Sequence, residues 1–367
     1  MSTKIQINEN RLLSSFLELV QIDSPSGQEQ KVGKHLFQLL SDLGGQVQQD
    51  DAGNLIARFP GRGEETILLS AHMDTVGKDT GIKPVVRDGV VYSDGTTILG
   101  ADDKSGVAVV LEALTLFQEQ PQLPHPPIEV VFSVEEEVGL LGAKKLDATQ
   151  LHSSWGLIFD AGGPIGTLVY AAPSQNKLDV VVHGRKAHAG GSPEKGVNAI
   201  VVAAEAICAM PIGRIDEETT SNIGVISGGE ATNIVPDRVT LRGEARSRDR
   251  AKLDAQTAAM VQAFENAAAN RGGSVDIDVS FTYPSYVVTP DQRPYVAAQQ
   301  AIESLGFEFV PQMAGGGTDG NIYNNAGIPC VVLSTGQMNA HTREEYIAIQ
   351  DMIDSTEVTV KLLMQSV

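Results

Sequence analysis

Apolar residues recur along the chain in two rhythms, and the alternation between them sets the architecture. Residues 11–22 carry Leu12, Leu13, Phe16, Leu17 and Val20 at helical spacing, and residues 28–43 repeat the pattern with Val32, Leu36, Leu39, Leu40 and Leu43 before Gly44-Gly45 stops it. Residues 54–59 and 66–71 read as strands joined by the turn Pro60-Gly61-Arg62-Gly63. The run Ile67-Leu68-Leu69 is short and uninterrupted, as a strand covered on both faces should be. Residues 77–97 read as loop and short strand, 107–117 as an apolar helix, and 128–132 and 157–159 as two more buried strands. The proline-rich loop 121–127 leaves His125 exposed in this reading, and His35 falls on the surface or boundary of its helix.

From residue 176 the rhythm changes. Strand patterns at 177–183, 221–226, 238–245 and 274–281 alternate with helical ones at 197–209 and 251–269, which makes β-α-β-β-α-β, the two-layer ferredoxin-like order. The pattern predicts an inserted domain over residues 176–287, with a catalytic domain split into 1–175 and 288–367. After the insert come a helix at 294–305, a Gly-rich loop Gly315-Gly316-Gly317-Thr318-Asp319-Gly320 before another helix, and a strand at 329–333. That loop lacks the Gly-Lys-Ser/Thr ending of a phosphate cradle.

Each buried run ends in polar residues of one chemical type. Ile67-Leu68-Leu69 leads to His72 and Asp74, which share a face at two-residue spacing, and Ile98-Leu99 leads to Asp102-Asp103. Residues 128–132 lead to Glu135-Glu136-Glu137, and 157–159 to Asp160. An aspartate before a helix is an ordinary cap, but a cap needs one aspartate, not two. Adjacent carboxylates repel unless something positive holds them. Ligands of α/β sheets bind beyond the carboxyl ends of the strands, so His72, Asp102, Glu136, Glu137 and Asp160 are expected around one crevice. His341 follows the last strand beside acidic residues. Imidazole and carboxylate donors suit zinc, with manganese or cobalt as substitutes.

Composition narrows the partners. A net charge of -19 argues against nucleic acid or an anionic membrane surface as a partner. The two cysteines, Cys208 and Cys330, form no metal-type spacing and no disulfide framework. The polar stretch 1–12 lacks an apolar signal core and no 18-residue apolar run occurs, so a cytoplasmic protein without a membrane span is expected.

In order along the chain, Ser70-Ala71-His72-Met73-Asp74-Thr75-Val76, Gly100-Ala101-Asp102-Asp103-Lys104-Ser105-Gly106, Glu135-Glu136-Glu137-Val138-Gly139, Phe159-Asp160-Ala161-Gly162-Gly163 and Asn339-Ala340-His341-Thr342 resemble the motifs of the dizinc exopeptidase family that contains peptidase T. Glutamate carboxypeptidases, aminoacylases and succinyl-diaminopimelate desuccinylase are relatives. The resemblance covers nearly the whole chain. It implies a zinc-exopeptidase-like mixed sheet flanked by helices, with an inserted α+β lid. It implies that His72 and Asp160 hold one metal, Glu137 and His341 the other, and that Asp102 bridges both, through a cis Asp102–Asp103 bond. Asp74 would orient His72, and Glu136 would be the general base. In the insert, His188 would stabilise the oxyanion and Asn233 and Arg246 would touch substrate, as would Gly317 and Thr318 of the Gly-rich loop after it. Where peptidase T looks to have an arginine before its Gly-Gly-Thr-Asp-Gly loop, this chain has Gly315, which bears on tripeptide selectivity and not on hydrolysis. The implied partners are a short peptide and a second copy of the chain through the lid. An aminopeptidase is the first reading. A deacylase or carboxypeptidase of the same family, an inactive binding homologue and a two-metal phosphatase are the others.

Overall fold

The computed structural model describes residues 6–367. The chain divides into two compact units: one comprises the residues up to Ala171 with Val287–Ala314 and Thr318–Val367, the other Ala172–Tyr286 with Gly315–Gly317.

A mixed sheet forms the middle of the first unit. From one edge its strands run Gln46–Gln49, Leu55–Phe59, Ile128–Ser133, Thr66–His72, Ser153–Gly162, Cys330–Gln337 and Thr167–Ala172, with Val310–Met313 beside the last. The four strands from Ile128–Ser133 to Cys330–Gln337 are mutually parallel. Each is built on an apolar run, and burial on both faces accounts for the absence of polar alternation. One face packs Ile56, Leu68, Val131, Ile158 and Val332 with Tyr323 and Ile328. The helix Ala101–Glu119 lies on Thr66–His72, Ser153–Gly162 and Cys330–Gln337 and against the helix Ile349–Gln365. The expected mixed sheet flanked by helices is therefore what the chain forms.

The helix Glu9–Gln21 is capped by Asn8, whose side chain accepts from the Arg11 N–H. Arg11 then forks onto Glu112, with Nε to Oε2 at 2.7 Å and an Nη to Oε1 at 2.8 Å, and reaches Glu119 at 2.6 Å, which ties this helix to Ala101–Glu119. One detail differs from the sequence reading. The expected exposed His125 is half-buried, because its ring packs on Phe117 with centroids 4.5 Å apart. Residues 84–93 form two short strands, Pro84–Arg87 and Val90–Ser93, which join Tyr346–Ala348 in a separate three-stranded sheet.

The second unit has an antiparallel sheet in the order Gly213–Arg214, Thr219–Gly228, Arg238–Ser247, Ser174–His183, Ser274–Tyr283. The helices Ala199–Ala209 and Arg250–Arg271 bury Val202, Ala206, Met260 and Phe264 against Leu178, Val180, Val239 and Leu241. The last four strands and the two helices follow each other as β-α-β-β-α-β.

Candidate metal centre

The parallel strands deliver their polar ends to one edge of the sheet. His72 is the last residue of its strand and pairs in register with Ser133, the last of the neighbouring one. Glu136 and Glu137 lie just beyond Ser133, Asp160 near the end of Ser153–Gly162, and His341 in the turn after Cys330–Gln337. Asp102 arrives differently from expectation. Ile98-Leu99 is not a strand, and Asp102 stands at the irregular start of the helix Ala101–Glu119. The two aspartates divide the work. Asp103 is fully buried and accepts from the backbone N–H of Gly106 at 3.2 Å and of His72 at 3.3 Å, so it is the cap. Asp102 faces the crevice, and the bond between them is cis.

Asp102 meets a different histidine with each oxygen. Oδ1 is 3.2 Å from His72 Nε2, and Oδ2 is 3.1 Å from His341 Nε2. His72 Nε2 is also 3.8 Å from Asp160 Oδ1, and His341 Nε2 is 3.0 Å from Glu137 Oε1. Three groups of donor atoms gather within 4.8 Å: His72 with Asp102 and Asp160, His72 with Glu136 and Glu137, and Asp102 with Glu137 and His341. Glu137 Oε1 is buried and accepts no aligned hydrogen bond despite its closeness to His341. An oxygen so placed, among imidazole nitrogens and other carboxylates, suits a divalent cation.

Asp74 is an assembly point. His72 Nδ1 lies 3.0 Å from the Asp74 backbone oxygen and 3.5 Å from its carboxylate, so both parts of the residue face the ring. The carboxylate accepts from Ser26 Oγ at 2.6 Å and from the backbone N–H of Glu136 at 3.0 Å and of Glu137 at 3.2 Å.

Burial and mutual repulsion govern the charges. Burial raises Glu136 well above the usual carboxylate range, and the neighbouring Asp319, Glu137 and Asp74 add to the effect. Burial likewise raises Asp160, with Asp102 and Glu136 beside it. Burial opposes charge on Asp102 as well, but His341 and His72 outweigh it and hold its pKa low. The Asp102 and Glu137 carboxylates lift His341 to about 10.

Three supporting residues escaped the sequence reading. Glu345 accepts three backbone N–H groups around Asp102. Ser26 holds Asp74. Asp319 is buried, accepts from Ser133 Oγ and is raised to about 6 by burial. In sequence each looks like an ordinary turn or helix-start residue, and only the fold gives it these partners. A carboxylate following His341 in the same turn was the one available signal for Glu345.

Thr318 caps the helix Asp319–Asn325, its hydroxyl accepting from the Gly320 N–H at 3.2 Å. The other expected substrate contacts and His188 belong to the second unit. His188 is exposed in the short strand Ala187–His188, and its Nδ1 accepts from the N–H of Gly190 at 3.1 Å and of Gly191 at 3.0 Å. These bonds leave Nε2 as the protonated, donating nitrogen. Asn233 is exposed, and its backbone oxygen accepts from Ala189 N at 2.9 Å. Arg246 is held through two nitrogens by Glu244, at 2.9 and 3.0 Å. An added Cβ at Gly317 would collide with the Tyr283 ring.

An α/β sheet carrying two histidines among buried carboxylates at the C-terminal edge of its parallel strands offers the donors of a divalent-metal site. Residues 68–365 match the model of Peptidase family M20/M25/M40, and the chain belongs to that family. It is 42% identical to the uncharacterized protein YqjE of Bacillus subtilis (strain 168), covering 98% of this chain and 99% of that one. Among solved structures, the aminopeptidase PepT of Bacillus cereus ATCC 10987 is 42% identical with a TM-score of 0.87, covering 98% of this chain and 99% of that one. A tripeptidase of Staphylococcus aureus subsp. aureus mu50 is 40% identical with a TM-score of 0.92, covering 98% of each chain. The protein is a peptide hydrolase of this metal-dependent family.

Proposed function

We propose that the protein is an aminopeptidase that removes residues from short peptides at a two-metal centre. The observation that carries this reading is the placement of Asp102, whose two oxygens face the two histidines of separate donor groups. In this reading His72 and Asp160 hold one ion, Glu137 and His341 the other, and Asp102 contributes to both. Bound there, two divalent ions, with zinc best matched to the donors, would polarise the peptide carbonyl and make a water acidic enough to attack at neutral pH. Glu136 is the base. It is buried, with its pKa raised by that burial, takes the proton of the attacking water on its carboxylate, and returns it to the leaving amine. Asp74 keeps His72 in position while holding the backbone of Glu136 and Glu137. His188, with Nε2–H as a donor, is the group proposed to serve the oxyanion. Asn233, Arg246, Gly317 and Thr318 are proposed substrate contacts. Arg246 would have to share its guanidinium with Glu244.

The name of the Bacillus cereus structure, an aminopeptidase, supports action at a free amino terminus, and that of the Staphylococcus aureus structure, a tripeptidase, supports short peptides as substrates. The proposed dimer uses the inserted unit, where Val225 and Ile226 stand exposed on the strand Thr219–Gly228. Among the described residues no helix is long and apolar enough to cross a membrane.

The test is hydrolysis of di- and tripeptides with free or acylated amino termini, before and after chelation. Cleavage of free-amine peptides that stops on chelation and returns with zinc, cobalt or manganese is the expected result. Cleavage of acylated substrates alone would make the enzyme a deacylase or carboxypeptidase, and full activity in verified metal-free protein would end the two-metal reading.

A further inference from the structure

Glu345 is almost completely buried, at 1% exposure, yet it pairs with no cationic side chain among the described residues. Both of its oxygens are committed to backbone donors. Oε2 accepts from Leu99 N at 2.8 Å and Gly100 N at 2.7 Å, and Oε1 accepts from Asp102 N at 2.9 Å. Leu99 and Gly100 make the approach to Asp102, and Gly100 bends it through a left-handed φ of 74°. Capping the following helix does not explain the contact, because Asp103 already performs that task toward Gly106.

The other end of the connection is the His341 turn. Asn339 and His341 both adopt left-handed backbone, with φ of 56° and 67°, a conformation uncommon among non-glycine residues though less so for Asn and His. Local hydrogen bonds hold the turn. Thr342 Oγ1 donates to Asn339 O at 2.8 Å, Asn339 Nδ2 to Glu344 O at 3.2 Å, and Met338 and Tyr346 exchange backbone hydrogen bonds at 2.9 and 3.1 Å. The turn is a clip with His341 inside it and Glu345 at its far end. Through Glu345 the clip grips the backbone of Asp102, whose Oδ2 stands 3.1 Å from His341 Nε2.

We propose that Glu345 is a positioning residue that fixes the spacing of Asp102 from His341 and thereby sets the affinity of the ion those two residues share with Glu137. The proposal rests on the two-metal reading above. The donor group of His72, Asp102 and Asp160 depends on Glu345 less, because His72 is held independently by the Asp74 backbone oxygen and by Asp103. Loss of Glu345 therefore acts unequally on the two ions.

The experiment is a zinc titration of metal-free protein against a chromophoric chelator, for wild type and Glu345→Gln. The amide keeps the size of the carboxylate but turns one acceptor into a donor facing a backbone N–H. The wild type takes up two zinc ions. In Glu345→Gln one ion binds as in wild type and the other about 10–100-fold more weakly, the usual scale for losing a group that orients a ligand. Excess zinc restores kcat, because the defect lies in occupancy. Two ions bound with wild-type affinity would overturn the proposal. So would equal weakening of both ions with a lowered melting temperature of the metal-free protein, which marks a merely structural role. If Glu345→Gln does not fold, Glu345→Asp is titrated instead, and it weakens the same ion by a smaller factor. Wild-type affinity in folded Glu345→Asp would overturn the proposal. A wild type that binds fewer than two zinc ions would instead defeat the two-metal reading itself.

Discussion

Glu136 shows how little of a residue's role its neighbours in sequence disclose. Three glutamates stand in a row, and in the fold they part company. Glu135 forms an ion pair with Lys145 at 3.1 Å, Glu137 meets His341, and Glu136 is buried with a raised pKa. Replacing Glu136 by Gln keeps the shape and removes the capacity to take a proton near neutral pH. Glu136→Gln should retain its metal by elemental analysis while kcat falls at least about 100-fold. A near-normal kcat with metal in place would transfer the role of base to another carboxylate, Glu135 being the first to replace. The residues named from sequence are legible because their types repeat: His or carboxylate, each time just beyond an apolar run. Ser26, Asp319 and Glu345 are not legible in that way. A serine, an aspartate after a helix cap and a glutamate in an acidic turn all read as solvated until tertiary structure buries the two carboxylates and bonds the serine to Asp74.

Among the elements, the covered parallel strands were the easiest to find, since burial on both faces makes them uninterrupted apolar runs. The edge strand Gln46–Gln49 is polar and exposed along most of its length, so hydrophobicity gives it no mark. Two predictions belong to this scale. Arg11 joins the helices Glu9–Gln21 and Ala101–Glu119 by gripping Glu112, which is buried. Arg11→Met leaves that carboxylate without its cation and should lower the unfolding free energy by about 1–3 kcal/mol, less than for a wholly buried pair because Arg11 is partly solvated. Denaturant unfolding measures it, and an equal loss in Glu112→Gln and in the double variant would confirm one shared interaction. In the second unit, Asp216 opens the strand Thr219–Gly228 by accepting from the N–H of Glu218 at 2.9 Å and Thr219 at 2.7 Å, with Lys252 at 3.1 Å. The Glu218 N–H first, and then Lys252 and Thr219, depress its pKa below the ordinary carboxylate value. A depressed folded-state pKa gives stability that is present above the unfolded value and is lost as pH falls through the folded one. Asp216→Asn should therefore lower the melting temperature at pH 7 and progressively less in acid, and a deficit independent of pH would show that the charge is irrelevant.

On the scale of the whole molecule, the chain runs out of one compact unit into another and back. His188 lies in the inserted unit, exposed, in a strand of two residues. Its removal should cost the fold little, within about 0.5 kcal/mol. His188→Ala should nevertheless lower kcat about 10²–10³-fold with metal content and melting temperature unchanged. Mixing it with Glu136→Gln restores part of the activity if each copy lends its histidine to the other, and an unchanged kcat in His188→Ala alone would remove this residue from the reaction. The sheet itself has a further consequence, one of timing. Its strand Cys330–Gln337 lies in the interior, between Ser153–Gly162 and Thr167–Ala172, although the chain makes those two far earlier. On the ribosome, the growing polypeptide must wait with a gap in its sheet and with Leu157 and Leu168 lacking the partners that Val331 and Leu333 will provide. His341 and Glu345 emerge only after that gap can be filled. The proposed ligand set is therefore completed late, because His341 follows the strand that fills the gap.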